Sequence, residues 1–186
     1  MSEGNRIYDL AMSAAGKATT VSVANNGEVQ IHIWNPSNGV LMEEVVLSTL
    51  VNVETIQSAF INGDNVYVVD TNENGIEIQS YNLKTGKEAE ANVHLSNMHE
   101  CLATQSAFVC LSSDKRSIHY SSIPFEGAEM KQLTLSSIPA SSTIEKISAV
   151  DHTDSVSLKY SNGKASNLLL LSLVEGKLSE TRSYQR

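Results

Sequence analysis

The chain reads as all-β, built from about four repeated units of four strands each, and three observations predict this. The first is a repeat. The stretch Val29-Gln30-Ile31-His32-Ile33-Trp34-Asn35-Pro36-Ser37-Asn38-Gly39 has a counterpart in Ile76-Glu77-Ile78-Gln79-Ser80-Tyr81-Asn82-Leu83-Lys84-Thr85-Gly86, each position 47 residues further on. In both, an apolar-alternating run breaks into a turn closed by glycine, and weaker copies end at Gly127 and Gly176. The second is turn chemistry: five of the ten glycines follow asparagine, at Asn26-Gly27, Asn38-Gly39, Asn62-Gly63, Asn74-Gly75 and Asn162-Gly163. Both residues tolerate positive φ, which a two-residue hairpin demands at its centre. The third is alternation, with Val29, Ile31 and Ile33 on one face of a strand and Glu28, Gln30 and His32 on the other. A repeat of about 40–50 residues holding several strands is the signature of β-propeller blades.

The repeat sets the order of elements. Unit one spans 1–50, with Thr19 to Ala24 and Glu28 to Trp34 flanking its first hairpin. Unit two spans 51–96, with Phe60-Ile61 and Val66-Tyr67-Val68-Val69 around its turn and Ile76 and Ile78 facing inward. Lys87-Glu88-Ala89-Glu90-Ala91 is the only helix-friendly stretch, and it falls where the repeat wants an outer strand. Unit three spans 97–137, and Leu135 to Thr143 connects it to unit four, 138–186. Four blades are few for a closed ring, and unclosed blades expose strand edges. The expectation is one partial propeller domain over 1–186, belonging to a larger propeller.

Composition narrows function. The chain is 41% hydrophobic and 18% charged, an ordinary globular balance, and 13 Lys and Arg oppose 21 Asp and Glu for a net charge of −8. Such a surface repels phosphate backbones, which speaks against nucleic-acid binding. The longest apolar run, Leu168 to Leu171, is far below the roughly 20 residues a membrane helix needs. The N-terminal residues Met1 to Arg6 lack the basic start and apolar stretch of a signal peptide.

Catalytic, metal and cofactor readings find no footing. His32, His94, His99, His119 and His152 show no ligand spacing. Asp151-His152-Thr153-Asp154 sits beside no nucleophile elbow. Asp70-Thr71-Asn72-Glu73-Asn74-Gly75 has the oxygen density of a calcium loop, but Tyr81 stands where the closing glutamate belongs, so a charged hairpin is the reading. Trp34 and Tyr81 fill equivalent positions and are expected to pack between blades. Trp34, Asn35, Gly39, Tyr81, Asn82 and Gly86 are thus read as turn and packing residues. Cys101 and Cys110 flank a turn at a spacing that suits neighbouring strands, either as a disulfide or as two buried thiols. Loops such as Asp70 to Gly75 and Asn97 to Glu100 are the expected contact surfaces.

Tyr81-Asn82-Leu83-Lys84-Thr85-Gly86-Lys87 resembles the turn of quinoprotein-like blades, and Ile33 to Gly39 is similar to the WD-type turn, with Asn35 in place of its Asp. A quinone-dependent dehydrogenase would need a cofactor-stacking platform, often an adjacent cysteine pair, and a calcium site; here the cysteines are not adjacent and Trp34 is the only tryptophan. A broader likeness runs over about Val21 to Ala140. It comprises the Asn-Gly hairpins, Val66-Tyr67-Val68-Val69, Tyr81-Asn82 to Gly86, Cys101, Ala107-Phe108-Val109-Cys110 and Ser117-Ile118-His119-Tyr120. This resembles the N-terminal luminal propeller of the subunit 1 family of the endoplasmic reticulum membrane protein complex, where a cysteine pair stands at nearly this spacing. The resemblance implies a non-catalytic scaffold on the luminal side, without cofactor. Its partners would be the other subunits of a complex that inserts transmembrane segments into the membrane. Relative to that family the chain lacks the signal peptide, second propeller, C-terminal region and membrane span, so the expectation is a truncated product or a piece of a larger protein. The alternative expectation is a cytosolic WD-type interaction platform.

Overall fold

The computed structural model describes residues 5–12, 16–89, 93–104, 106–123, 130–150, 153–163 and 165–185. Sixteen strands occur among them, in four antiparallel four-stranded sheets, and no helix. The first sheet holds β1 (Arg6–Met12), β2 (Ala18–Val23), β3 (Glu28–Asn35) and β4 (Val40–Leu50). The second holds β5 (Ile56–Asn62), β6 (Asn65–Asn72), β7 (Gly75–Asn82) and β8 (Val93–Ser96). The third holds β9 (Met98–Ala103), β10 (Ala107–Ser112), β11 (Ser117–Ser122) and β12 (Lys131–Thr134). The fourth holds β13 (Thr143–Val150), β14 (Ser155–Asn162), β15 (Ala165–Val174) and β16 (Lys177–Gln185). Within each sheet, spatial order follows chain order, the meander of a propeller blade. The strands with the clearest repeat, β3 and β7, have the same bounds once shifted by 47 residues.

The chain divides into two compact units, 1–96 and 97–186, each with two sheets and its own core. In the first unit, Val21, Val29 and Ile31 of the first sheet pack with Ala59, Val66, Val68 and Tyr81 of the second. In the second, Val109, Leu111, Ile118 and Tyr120 of the third sheet pack with Val156, Leu158, Tyr160, Leu169 and Leu171 of the fourth. Period-2 alternation delivers one row of each strand to these seams. The central strand β10 is buried along its whole length.

Several sequence expectations need correcting. None of the five asparagines before glycine has positive φ, whereas Gly27, Gly39, Gly63, Gly75 and Gly163 all do. The asparagine contributes its side-chain oxygen instead, as Asn26 and Asn38 accept from the N–H groups of Glu28 and Val40. The Asn26-Gly27 hairpin is a three-residue loop closed by hydrogen bonds between Ala24, Gly27 and Glu28. Both central residues take positive φ at Glu175-Gly176, between β15 and β16. Gly176 therefore belongs to a two-residue hairpin rather than to a copy of the Gly39 turn. Gly127 lies outside the described residues. In the helix-friendly stretch, Glu88 bridges Tyr81 and Ala89 N–H donates to the Ser80 carbonyl, while Glu90 and Ala91 lie outside the described residues. The outer strand is Val93–Ser96. Asn97 to Glu100 is no loop: Met98 and Glu100 pair with Ser112 and Leu111, leaving only Asn97 in a turn, at φ 60.

Candidate interaction surface

The turns at Asn35 and Asn82 are built alike. The Asn35 side-chain oxygen accepts from Ser37 N–H at 3.0 Å, and its carbonyl accepts from Gly39 N–H at 2.8 Å. The Asn82 oxygen accepts from the N–H groups of Lys84 and Thr85, each at 3.1 Å, and its carbonyl from Gly86 N–H at 2.9 Å. The asparagine thus caps the turn from inside, and the glycine closes it in the left-handed region at φ 68 or 67. This is the physical content of the Asn-x-x-x-Gly repeat. The two glycines differ in surroundings. A Cβ on Gly39 would meet open space, but one on Gly86 would stand 2.5 Å from the Val46 carbonyl oxygen of β4.

Trp34 and Tyr81 precede these turns at equivalent positions and meet different fates. Tyr81 is buried in the seam between the first and second sheets, its hydroxyl donating to Gln79 at 2.8 Å. Trp34 is half-buried, donates to the Thr20 hydroxyl at 3.1 Å and lies 5.8 Å from the His32 ring. Packing between the first and second sheets accounts for Tyr81, while Trp34 shares its face with the exposed side chains of Ile7, Leu10, Leu41 and Val46.

Cys101 and Cys110 are directly opposed on β9 and β10 and joined as a disulfide, with an S–S distance of 2.00 Å. Both are buried. This resolves the two readings the spacing allowed in favour of the bond.

The remaining polar candidates serve the scaffold. Asp154 accepts from the Thr104 hydroxyl and Ser106 N–H, tying the β9–β10 loop to the β13–β14 loop. Asp151 and His152 lie outside the described residues. In the Asp70–Gly75 hairpin, Asp70 and Asn72 spend side-chain oxygens on Thr71 and Asn74 N–H groups. Residues 70–73 of this hairpin, with Asn52 and residues 54–57, line an open depression of about 720 Å³ that includes Glu54, Asp70 and Glu73. His32 is buried, its Nε2 3.6 Å from the Glu44 carboxylate. His119 meets the Ser117 hydroxyl at 3.3 Å, and His94 and His99 are exposed. Among the described residues no three His, Cys, Asp or Glu side chains gather as metal ligands would.

Two features escaped sequence reasoning. The Arg116 guanidinium donates to the carbonyls of Pro139, Ala140 and Ser142, clamping the 135–142 connection onto the β10–β11 hairpin. Beside it the Ser112 hydroxyl and then Arg116 N–H donate to Asp114, holding its carboxyl below the usual range. Nothing local in the sequence pairs Arg116 with carbonyls more than twenty residues away. Glu145 is likewise lowered, chiefly by Lys159 at 2.6 Å.

No protein-family model matches the chain, and no curated protein does. Solved structures match it by shape. The WD40 domain of SCAP from fission yeast aligns with a TM-score of 0.55 at 13% identity, over 97% of this chain and 45% of that one. The Dos1 propeller aligns at 0.50 and 12%, over 87% of this chain and 44% of that one. The fold is that of a partial β-propeller. A Listeria monocytogenes protein, lmo1340, aligns at 0.56 and 10%, over 97% of this chain and 52% of that one. The chain therefore spans about half the length of these structures. At such identities the likeness is one of fold alone.

Proposed function

We propose that this chain is a non-catalytic scaffold segment of a propeller on the luminal side of the endoplasmic reticulum membrane. It would bind the other subunits of the membrane protein complex that inserts transmembrane segments. The observation that carries this reading is the buried Cys101–Cys110 disulfide between β9 and β10. Disulfides persist in oxidising compartments and are rare in the cytosol. A bond at the cysteine pair that resembles the subunit 1 family supports the luminal home. The scaffold role is further supported by the use made of the polar candidates, since Asp154, Asp70 and Asn82 are engaged in turns and ties rather than in a shared site. Binding by shape is what four rigid meanders offer.

A cytosolic WD-type platform is the second reading, favoured by the likeness to a WD40 domain and by Trp34-Asn35 in the turn. The test is to tag the full-length parent protein in its own cells, purify in mild detergent and identify what accompanies it. Near-equal recovery of membrane-complex subunits, with Cys101 and Cys110 blocked to alkylation before reduction, is the expected result. Soluble partners alone, with both thiols free, would replace the luminal reading with the cytosolic one.

A further inference from the structure

We infer that Asn162, at the end of β14, is a site of spontaneous covalent modification, where closure onto the Gly163 nitrogen converts its amide to aspartate and isoaspartate. Asparagine followed by glycine is open to this chemistry because glycine carries no Cβ to shield its nitrogen. The chain has five such pairs, so the sequence alone does not choose among them. The hydrogen bonds of the five turns do. The inference rests on hairpin geometry and not on the function proposed above.

At Asn26 and Asn38 both reacting groups are engaged. Their side-chain oxygens accept from the N–H groups of Glu28 and Val40, each at 3.1 Å. The attacking nitrogens, those of Gly27 and Gly39, donate to the Ala24 and Asn35 carbonyls at 2.9 and 2.8 Å. At Asn74 the following glycine is a ladder residue, Gly75 pairing with Asn72, and a Cβ there would collide with the Leu95 carbonyl. Asn62 is half-buried, and its loop is tied down by the Leu83 N–H, which donates to the Asp64 carbonyl at 2.8 Å.

Asn162 differs on each count. It is exposed and pairs with Ala165, which leaves Gly163 in the loop between them rather than in the ladder. Among the described residues no backbone carbonyl takes the Gly163 N–H, and a Cβ on Gly163 would meet nothing within 4 Å. Solvent base can therefore take that proton, and the nitrogen is free to attack Cγ of Asn162. The new C–N bond puts negative charge on Oδ1, to which the exposed Ser141 hydroxyl already donates at 3.5 Å. A donor aimed at an oxygen where charge develops stabilises that charge. Collapse of the tetrahedral carbon expels the side-chain nitrogen as ammonia, its proton supplied by water, and leaves a cyclic imide. One water then opens the imide: at the side-chain carbonyl it gives aspartate, at the backbone carbonyl isoaspartate. The sum is one water consumed and one ammonia released, with no oxidation or reduction. Either product sets a carboxylate beside Ser141, on the connection that Arg116 clamps, and isoaspartate also lengthens the backbone of the turn by one carbon.

Peptide mapping of the folded chain, incubated in mildly alkaline buffer and sampled over time, tests the inference. Asn162 is expected to convert first, with aspartate and isoaspartate appearing together. Each hydrogen bond that must open beforehand slows the reaction about fivefold, so Asn26 and Asn38 should lag by about 25-fold. In concentrated urea, where the turns are lost, the five sites should react at similar rates. Ser141→Ala, at an exposed position, should slow Asn162 about fivefold and leave the other four sites as they were. Equal rates at the five sites in the folded chain would overturn the inference, as would any of the other four converting ahead of Asn162. An unchanged rate at Asn162 in the Ser141→Ala chain would remove the hydroxyl from the reaction.

Discussion

Gly39 and Gly86 occupy one motif and the same backbone conformation, yet their neighbours make them unequal. A left-handed non-glycine residue costs about 1–2 kcal/mol, and Gly39→Ala should cost about that, since its Cβ would enter open space. Gly86→Ala adds a Cβ 2.5 Å from the Val46 carbonyl oxygen, so the turn or β4 must shift. We expect Gly86→Ala to be the worse by about 2 kcal/mol, read from urea midpoints at constant slope. Equal losses would mean that the close approach of the turn to β4 is not maintained. Asp114 tests electrostatics at the same scale. Its carboxyl is held below its usual value first by the Ser112 hydroxyl and next by Arg116 N–H. The folded state therefore favours the charged form, and the stabilisation is present above the unfolded value of about 3.9. It is lost as pH falls through the lowered folded value. In urea midpoints taken across pH, Asp114→Asn should lie below the parent chain at neutral pH and converge on it in acid. A constant gap down to the most acidic pH would remove the carboxylate from the explanation.

Strands show where sequence reasoning works and where it stops. The bounds of β3 and β7 agree because alternation and the Asn-x-x-x-Gly turn are both local signals. The hairpins were legible as hairpins, but their geometry was not, because asparagine can serve a turn through its side-chain oxygen as readily as through positive φ. Met98 and Glu100 read as loop because nothing local announces a strand there; β10 supplies the hydrogen bonds. Trp34 looked like a second Tyr81, yet burial depends on which sheet lies opposite, and that is not written in the strand itself. The disulfide is an element-scale feature that the spacing left open. It closes a short loop, with a sequence separation of 9, so its removal should cost about 2.5 kcal/mol by loop-closure entropy. Because Cys101 and Cys110 are 3% and 0% exposed, reductant should reach them only when β9 and β10 part. The chain should therefore keep its bond in reductant under native conditions and show a lowered urea midpoint once reduced. Rapid reduction of the folded chain would show that the two strands open far more readily than their burial implies.

Among the described residues each of the two units has a core cluster that joins its pair of consecutive sheets. Val21, Ile31, Val68 and Tyr81 belong to one, and Val109, Ile118, Leu158 and Leu171 to the other. Cooperative opening follows contiguous buried contacts, so damage to one core should be felt first by the two sheets that share it. Leu158 is fully buried at the centre of β14, against the third sheet. Leu158→Ala removes its buried methyl groups and leaves a cavity, at a cost of about 2–5 kcal/mol. Amide hydrogen exchange can read where that cost falls. Protection of β10, β11, β14 and β15 should drop by the full amount, while β2, β3, β6 and β7 keep theirs. Ile31→Ala, in the other core, should give the reverse pattern. An equal drop across all eight strands from either substitution would mean that the four sheets open as one cooperative body, and the division into two units would have no energetic counterpart.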